Sequence, residues 1–118
     1  LAPTPRLGRN GDLTLHHVED FSTGLVRGQY GILEPREDAP RVAASAVGLI
    51  LVPGRAFART GKRLGRGRGC YDRLLQGMAA KRVAMAYDCQ IVEGLPHDDG
   101  DEPMDAIVTS TEVLAVRA

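Results

Sequence analysis

Apolar and polar positions first divide the chain into short extended pieces. Leu13, Leu15 and His17 alternate with Thr14 and His16, which predicts a half-buried strand ending near Val18. The stretch from Asp20 to Gln29 has little periodicity and two glycines and is expected to be loop. Tyr30 to Pro35 reads as a compact turn running into extended chain, because the residue before proline is biased away from helix. Charge and Pro40 make Arg36 to Arg41 an exposed connection. Ala46 to Val52 is a continuous apolar run, the pattern of a strand buried on both faces of a parallel sheet. Pro53 and Gly54 end it, and the glycine-rich stretch to Gly69 reads as a long loop. Tyr71, Leu74, Leu75 and Met78 then fall on one helical face, predicting a helix to about Ala80. Arg82 to Tyr87, Asp105 to Thr109 and Val113 to Val116 complete the series as strands. The order strand, loop, helix, strand is a right-handed crossover unit of a parallel sheet.

Composition adds bounds to this outline. With 118 residues the chain is expected to be a single domain, and Leu, Ile, Val and Phe supply 29 of them, enough for a modest core. No apolar run approaches the roughly 18 to 20 residues that cross a bilayer as a helix, so no membrane partner is expected. The opening Leu-Ala-Pro-Thr-Pro-Arg lacks an initiator Met and a secretion-signal pattern and reads as an internal cut. Cys70 and Cys89 form no C-x-x-C and no disulfide framework, so a reducing, cytoplasmic setting is expected. Fifteen basic and fifteen acidic residues cancel, which argues against nucleic acid as a partner. They are unevenly placed. Seven basic residues lie between Arg55 and Arg73 with Asp72 as the one acid, and seven acids lie between Asp88 and Asp105 with no Lys or Arg. A polyanion and its metal would suit that division; two solvated faces would produce it as well.

The chemistry concentrates in Arg63-Leu64-Gly65-Arg66-Gly67-Arg68-Gly69, between a strand and a helix start, where open parallel sheets bind ligands. Glycine lets backbone N–H groups approach phosphate oxygens, the helix start adds positive potential, and arginine offers planar paired donors. A flexible basic loop fits the same residues. The Gly-Lys-Ser/Thr of a P-loop and the GxGxxG spacing of dinucleotide folds are both missing. An RNA-binding Arg-Gly tract is the weakest alternative, because the interleaved aromatics that stack on bases are not there.

These residues resemble a known family. Val52-Pro53-Gly54, Phe57, Gly61 and Arg63-Leu64-Gly65 through Tyr71-Asp72-Arg73 are similar to the signature of the 5-formyltetrahydrofolate cyclo-ligases, also called methenyltetrahydrofolate synthetases. Tyr30-Gly31-Ile32-Leu33-Glu34-Pro35 resembles the family's Gly-Ile-x-Glu-Pro element. Gln90, Leu95-Pro96, and Asp101 through Pro103 to Asp105 with Ala106-Ile107-Val108-Thr109 resemble its C-terminal part. The resemblance implies an α/β fold of three layers, Rossmann-like, with a mainly parallel central sheet. It also implies an ATP- and Mg2+-dependent ligase that closes 5-formyltetrahydrofolate, a reduced folate, to 5,10-methenyltetrahydrofolate.

Carried over residue by residue, the resemblance makes Arg63, Leu64, Gly65, Arg66, Gly67, Arg68, Gly69, Cys70 and Tyr71 the ATP phosphate loop, with Arg63 and Arg68 as catalytic charge partners. Tyr30 and Tyr71 would meet the folate. Asp72 and Asp101 would hold the magnesium, and Asp99 competes with Asp101 for that place. Each has a plainer alternative: Asp72 as a helix-start charge, Asp101 as a solvated acid, Tyr30 as packing, while Gln90 and Phe57 are read as structural. Cys70 stands where the family has the first of two tyrosines, and Gly100 where it has His. Relatives also carry a preceding Lys/Arg-rich segment, so the chain reads as an N-terminally truncated portion. Three expectations then stand: an enzyme in complete form, an inactive relative that still binds nucleotide or another phosphate, and a homodimer through an uncovered sheet edge.

Overall fold

The computed structural model describes residues 3–28, 31–65, 69–95 and 102–116. The chain forms two compact units, Leu1–Ala46 and Val47–Ala118. The class is mixed α/β, with short strands throughout and one α-helix among the described residues.

In the first unit β1 (Thr4–Leu7) pairs antiparallel with β2 (Leu13–His16). A second hairpin joins β3 (Leu25–Arg27) to β4 (Leu33–Pro35), and β5 (Arg41–Val42) pairs with β2. The strand at β3 corrects the loop expected there. Its stabilising partner is Glu34 and its neighbours, eight or so positions away, so no local period announces it. Glu34 is buried, and its carboxylate accepts from Arg6 Nη1 at 2.8 Å and from the Leu7 amide at 3.1 Å. Gly28 packs directly against that carboxylate, leaving no room for a Cβ. His16 is buried rather than exposed on the alternate face. Its Nδ1 lies 2.9 Å from Ala39 O, a carbonyl that only accepts, so Nδ1 donates there, while Nε2 lies 2.7 Å from the Thr14 hydroxyl.

The second unit is built on β6 (Leu49–Val52), β9 (Lys81–Met85), β11 (Ala106–Val108) and β12 (Val113–Ala115). The order is β12-β11-β9-β6, with β6, β9 and β11 parallel and β12 antiparallel, so the expected mainly parallel sheet is found here. One face forms the core: Ile50, Val52, Ala84 and Ile107 are all buried. The other corrects the reading of β6 as buried on both sides. Leu49 and Leu51 are 56% and 55% exposed against 8% and 1% for Ile50 and Val52, a period-two pattern of single-sided burial. The helical layer that would cover Leu49 and Leu51 is not found among the described residues.

The stretch read as one glycine-rich loop is in fact folded. β7 (Ala56–Ala58) and β8 (Arg63–Leu64) form a hairpin, with β10 (Ile91–Val92) parallel to β7 on its other side. Apolar content is too low there for a strand signal, yet Phe57 and Ala58 are almost fully buried. Gly61 makes the turn with φ of 94°, its amide donating to Ala58 O, and its carbonyl accepts the Met104 amide at 2.8 Å. A Cβ here would stand 2.8 Å from Met104 O as well as adopting a left-handed backbone. Gly61→Ala is therefore expected to lower stability by about 1–3 kcal/mol in urea unfolding with an unchanged m-value.

Candidate functional site

Three elements converge on Arg63. Pro53 ends β6, and the β7–β8 hairpin folds back so that Arg63 Nε donates to Pro53 O at 2.6 Å while the Arg55 amide donates to Leu64 O at 2.8 Å. Gly54 lies between them. A Cβ on it would stand 2.7 Å from the Phe57 ring and 3.2 Å from Arg63 Cγ, so the close approach of the two segments requires glycine. The helix α1 (Cys70–Gln76) follows Gly69, whose φ of 68° turns the chain into it. This helix ends at Gln76 rather than near Ala80, because Gly77 follows and the Met78 amide turns back onto Leu75 O. Leu75 and Met78 are buried as the helical spacing predicts, though Met78 lies beyond the helix. A helix of seven residues supplies little dipole, so anion affinity here falls to arginine and loop amides rather than to the helix start.

Arg63 is only 7% exposed along its side chain. Its guanidinium carbon sits 5.3 Å from the Tyr71 ring centre, a cation–π distance, and its Nη1 lies 3.8 Å from Asp72 Oδ1. Gly65 keeps its place because a Cβ would press on the same guanidinium at 2.9 Å. Burial pushes the Tyr71 phenol above its ordinary value, opposed by the Arg63 charge, so Tyr71 is a neutral donor at physiological pH. Arg63, Gly65, Gly69, Cys70, Tyr71 and Asp72 thus belong to one neighbourhood or border it, with Leu64 more exposed on β8. The remaining expected site residues, Tyr30, Arg66, Gly67, Arg68, Asp99 and Asp101, lie outside the described residues.

The acidic half of the charge pattern divides by role. Asp72 Oδ1 accepts from the Glu102 amide at 3.3 Å, which brings this part of the acidic segment to the head of α1. Glu102 Oε2 in turn accepts from Arg82 Nη1 at 2.6 Å, and Arg82 Nη2 donates to Leu75 O at 2.7 Å and to Met78 O at 3.3 Å. Asp105 is tied to the same point, its carboxylate taking the Arg82 amide and its own amide donating to Arg82 O. Asp88 serves elsewhere: the hydroxyls of Thr109, Thr111 and Ser110 hold its carboxyl below the ordinary value, fixing the turn between β11 and β12. Three acids of the expected metal-binding segment are therefore structural. Glu102 and Arg82 carried no sequence signal as site residues, since their partners lie 20 and 7 positions away.

For a divalent cation the described residues offer Asp72. Both of its contacts fall on Oδ1, and the side chain is 21% exposed, leaving it partly accessible. No group of three or more ligating side chains occurs among the described residues. Mg2+ does not require one, since it is held by one or two carboxylates together with water and phosphate oxygens. A single partly accessible carboxylate suits that mode of holding an ion better than a closed protein cage.

The chain as a whole is similar to known proteins. The model of the 5-formyltetrahydrofolate cyclo-ligase family matches residues 1–110. The 5-formyltetrahydrofolate cyclo-ligase of Escherichia coli strain K12 is 40% identical over 93 residues, covering 75% of this chain and 51% of that protein. The mitochondrial 5-formyltetrahydrofolate cyclo-ligase of Arabidopsis thaliana is 36% identical over 125 residues, covering 88% of this chain and 43% of its own length. In structure the chain is similar to the 5,10-methenyltetrahydrofolate synthetase of Aquifex aeolicus, with a TM-score of 0.82 and 39% identity over 97% of this chain and 57% of that one. The Mycoplasma pneumoniae synthetase shares the fold, with a TM-score of 0.68 at 19% identity. The chain thus spans about half the length of the relatives it matches. Among the described residues no helix is long and apolar enough to cross a membrane.

Proposed function

Since the chain belongs to the 5-formyltetrahydrofolate cyclo-ligase family, we propose that residues 63–72 form its ATP phosphate site and that the complete protein closes 5-formyltetrahydrofolate to 5,10-methenyltetrahydrofolate. The observation that carries this reading is the Arg63 guanidinium, buried between Pro53 O, the Tyr71 ring and Asp72 at the entrance to the Gly65–Gly69 segment. Phosphoryl transfer is mainly positioning and charge stabilisation, and a fixed guanidinium beside glycine amides supplies both. In this reading Arg63 and Arg68 stabilise the transferring phosphoryl group, and Leu64 to Tyr71 line the phosphates. Tyr30 and Tyr71 border the folate. Asp72 and Asp101 hold Mg2+, whose chemistry when bound is to neutralise phosphate charge; the Glu102 amide on Asp72 supports the pairing by bringing residue 102 to that carboxylate. The γ-phosphoryl group passes from ATP to the formyl oxygen, releasing ADP. N10 then attacks the formyl carbon and gives up its proton, and that oxygen leaves as phosphate.

The accompanying fold reading is a three-layer Rossmann-like arrangement, supported by the parallel order β6-β9-β11 and by the apolar, exposed second face at Leu49, Leu51, Met85 and Val113. Cytoplasmic placement and dimerisation at a sheet edge, β6 or β12, belong to the same proposal. The second reading is nucleotide binding without turnover. Absorbance of the methenyl product separates the two. A rise that needs 5-formyltetrahydrofolate, ATP and Mg2+ together supports turnover by this chain. ATP binding with no product supports the second reading, and neither product nor binding overturns both.

A further inference from the structure

The turn after β9 reaches two carboxyl-end loops of the sheet at once. Asp88 takes the Ser110 and Thr111 hydroxyls of the β11–β12 turn, at 3.1 and 2.8 Å. Two residues on, Gln90 uses both ends of its amide: Oε1 accepts the Tyr87 amide at 2.8 Å, and Nε2 donates to Gly54 O at 3.0 Å and to Arg55 O at 3.2 Å. Those are the next two carbonyls along the chain after that of Pro53, which receives Arg63 Nε, and a Cβ on Gly54 would stand 3.2 Å from Arg63 Cγ. We propose that Gln90 is a positioning residue for the Arg63 guanidinium, acting through the Pro53–Gly54–Arg55 segment. A glutamine is suited to this because it donates and accepts together: the acceptor end closes its own turn while the donor end clamps the loop. With the clamp released, Pro53 O is free to shift, and the 2.6 Å bond that aims Arg63 loosens. The consequence for ATP rests on the function proposed above; the placement of Arg63 does not.

Gln90→Glu separates the two ends, since it keeps an acceptor for the Tyr87 amide and removes both donated bonds. Side-chain hydrogen exchange followed by NMR reads the effect directly. Arg63 Nε–H is expected to exchange about tenfold faster in Gln90→Glu, with the amides of β6, β9 and β11 unchanged and ATP binding several-fold weaker. Gln90→Met, which also removes the acceptor, should accelerate Arg63 exchange at least as much. An Arg63 Nε–H rate unmoved in either folded variant overturns the proposal. So does the unsubstituted chain if its Arg63 Nε–H exchanges as fast as the Nε–H of exposed Arg41. Failure of the unsubstituted chain to bind ATP overturns the functional reading instead, and leaves the exchange result to decide the role of Gln90.

Discussion

Arg63→Ala is expected to weaken ATP binding by roughly 10- to 100-fold, because hydrogen bonds made by an ionised group contribute about 1.5–3 kcal/mol and each 1.4 kcal/mol is tenfold in affinity. The side chain is held at three points, by Pro53 O, the Tyr71 face and Asp72, so its charge needs little ordering when phosphate arrives. Arg63→Lys is expected to recover only part of the loss. An ammonium cannot keep the Nε bond to Pro53 O while presenting further planar donors, and it lies less well on an aromatic face. Titration calorimetry with ATP measures both variants, and far-UV circular dichroism establishes that they are folded. Affinity within twofold of the unsubstituted chain in folded Arg63→Ala would remove Arg63 from the phosphate site.

Arg82→Ala should give the largest loss of stability, about 2–4 kcal/mol. Breaking a buried ion pair costs about 3–5 kcal/mol, reduced here because Arg82 and Glu102 retain 11% and 24% of their side-chain exposure. Three acceptors lose a guanidinium hydrogen bond together, Glu102 Oε2, Leu75 O and Met78 O, although Leu75 O keeps the Met78 amide. The melting temperature should fall by roughly 10 °C or more, and urea unfolding should shift its midpoint. The loss should spread to the site, since Glu102 anchors to Asp72 through its amide. Arg82→Met, which keeps the aliphatic stem, should recover some packing and none of this ordering. A loss below about 0.5 kcal/mol would show the guanidinium to be solvated in solution rather than bound as described.

Much of this was legible in the sequence where a pattern repeats locally. Val52, Ala84 and Ile107 lie in apolar runs, and those runs are the three parallel strands of the core. Leu75 and Met78 were found by helical spacing and are buried. What stayed hidden has partners far along the chain. Ala56-Phe57-Ala58 is a strand because β8 and β10 flank it, and Leu25-Val26-Arg27 because β4 pairs with it. The β6 run misled for another reason: an unbroken apolar string does not tell which of its faces is covered, and Leu49 and Leu51 are exposed. At the site, Arg63, Tyr71 and Asp72 were legible through resemblance to a family, and the structure brings the three together. Gln90 reads as structural, Arg82 as the start of a strand and Glu102 as one acid of a charged segment, none of them with a site signal. Their bonds reach 36, 7 and 20 positions along the chain, where no periodicity records them.

Mg2+-dependent ATP binding decides whether Asp72 and Arg63 act as one phosphate and magnesium site. Calorimetric titration of ATP into this chain with and without Mg2+ should show affinity raised by the ion. The same titration of Asp72→Asn should lose that increment while keeping the metal-independent part, because Arg63 remains. ATP binding that responds to Mg2+ as strongly in Asp72→Asn as in the unsubstituted chain would contradict the account, as would no ATP binding at all.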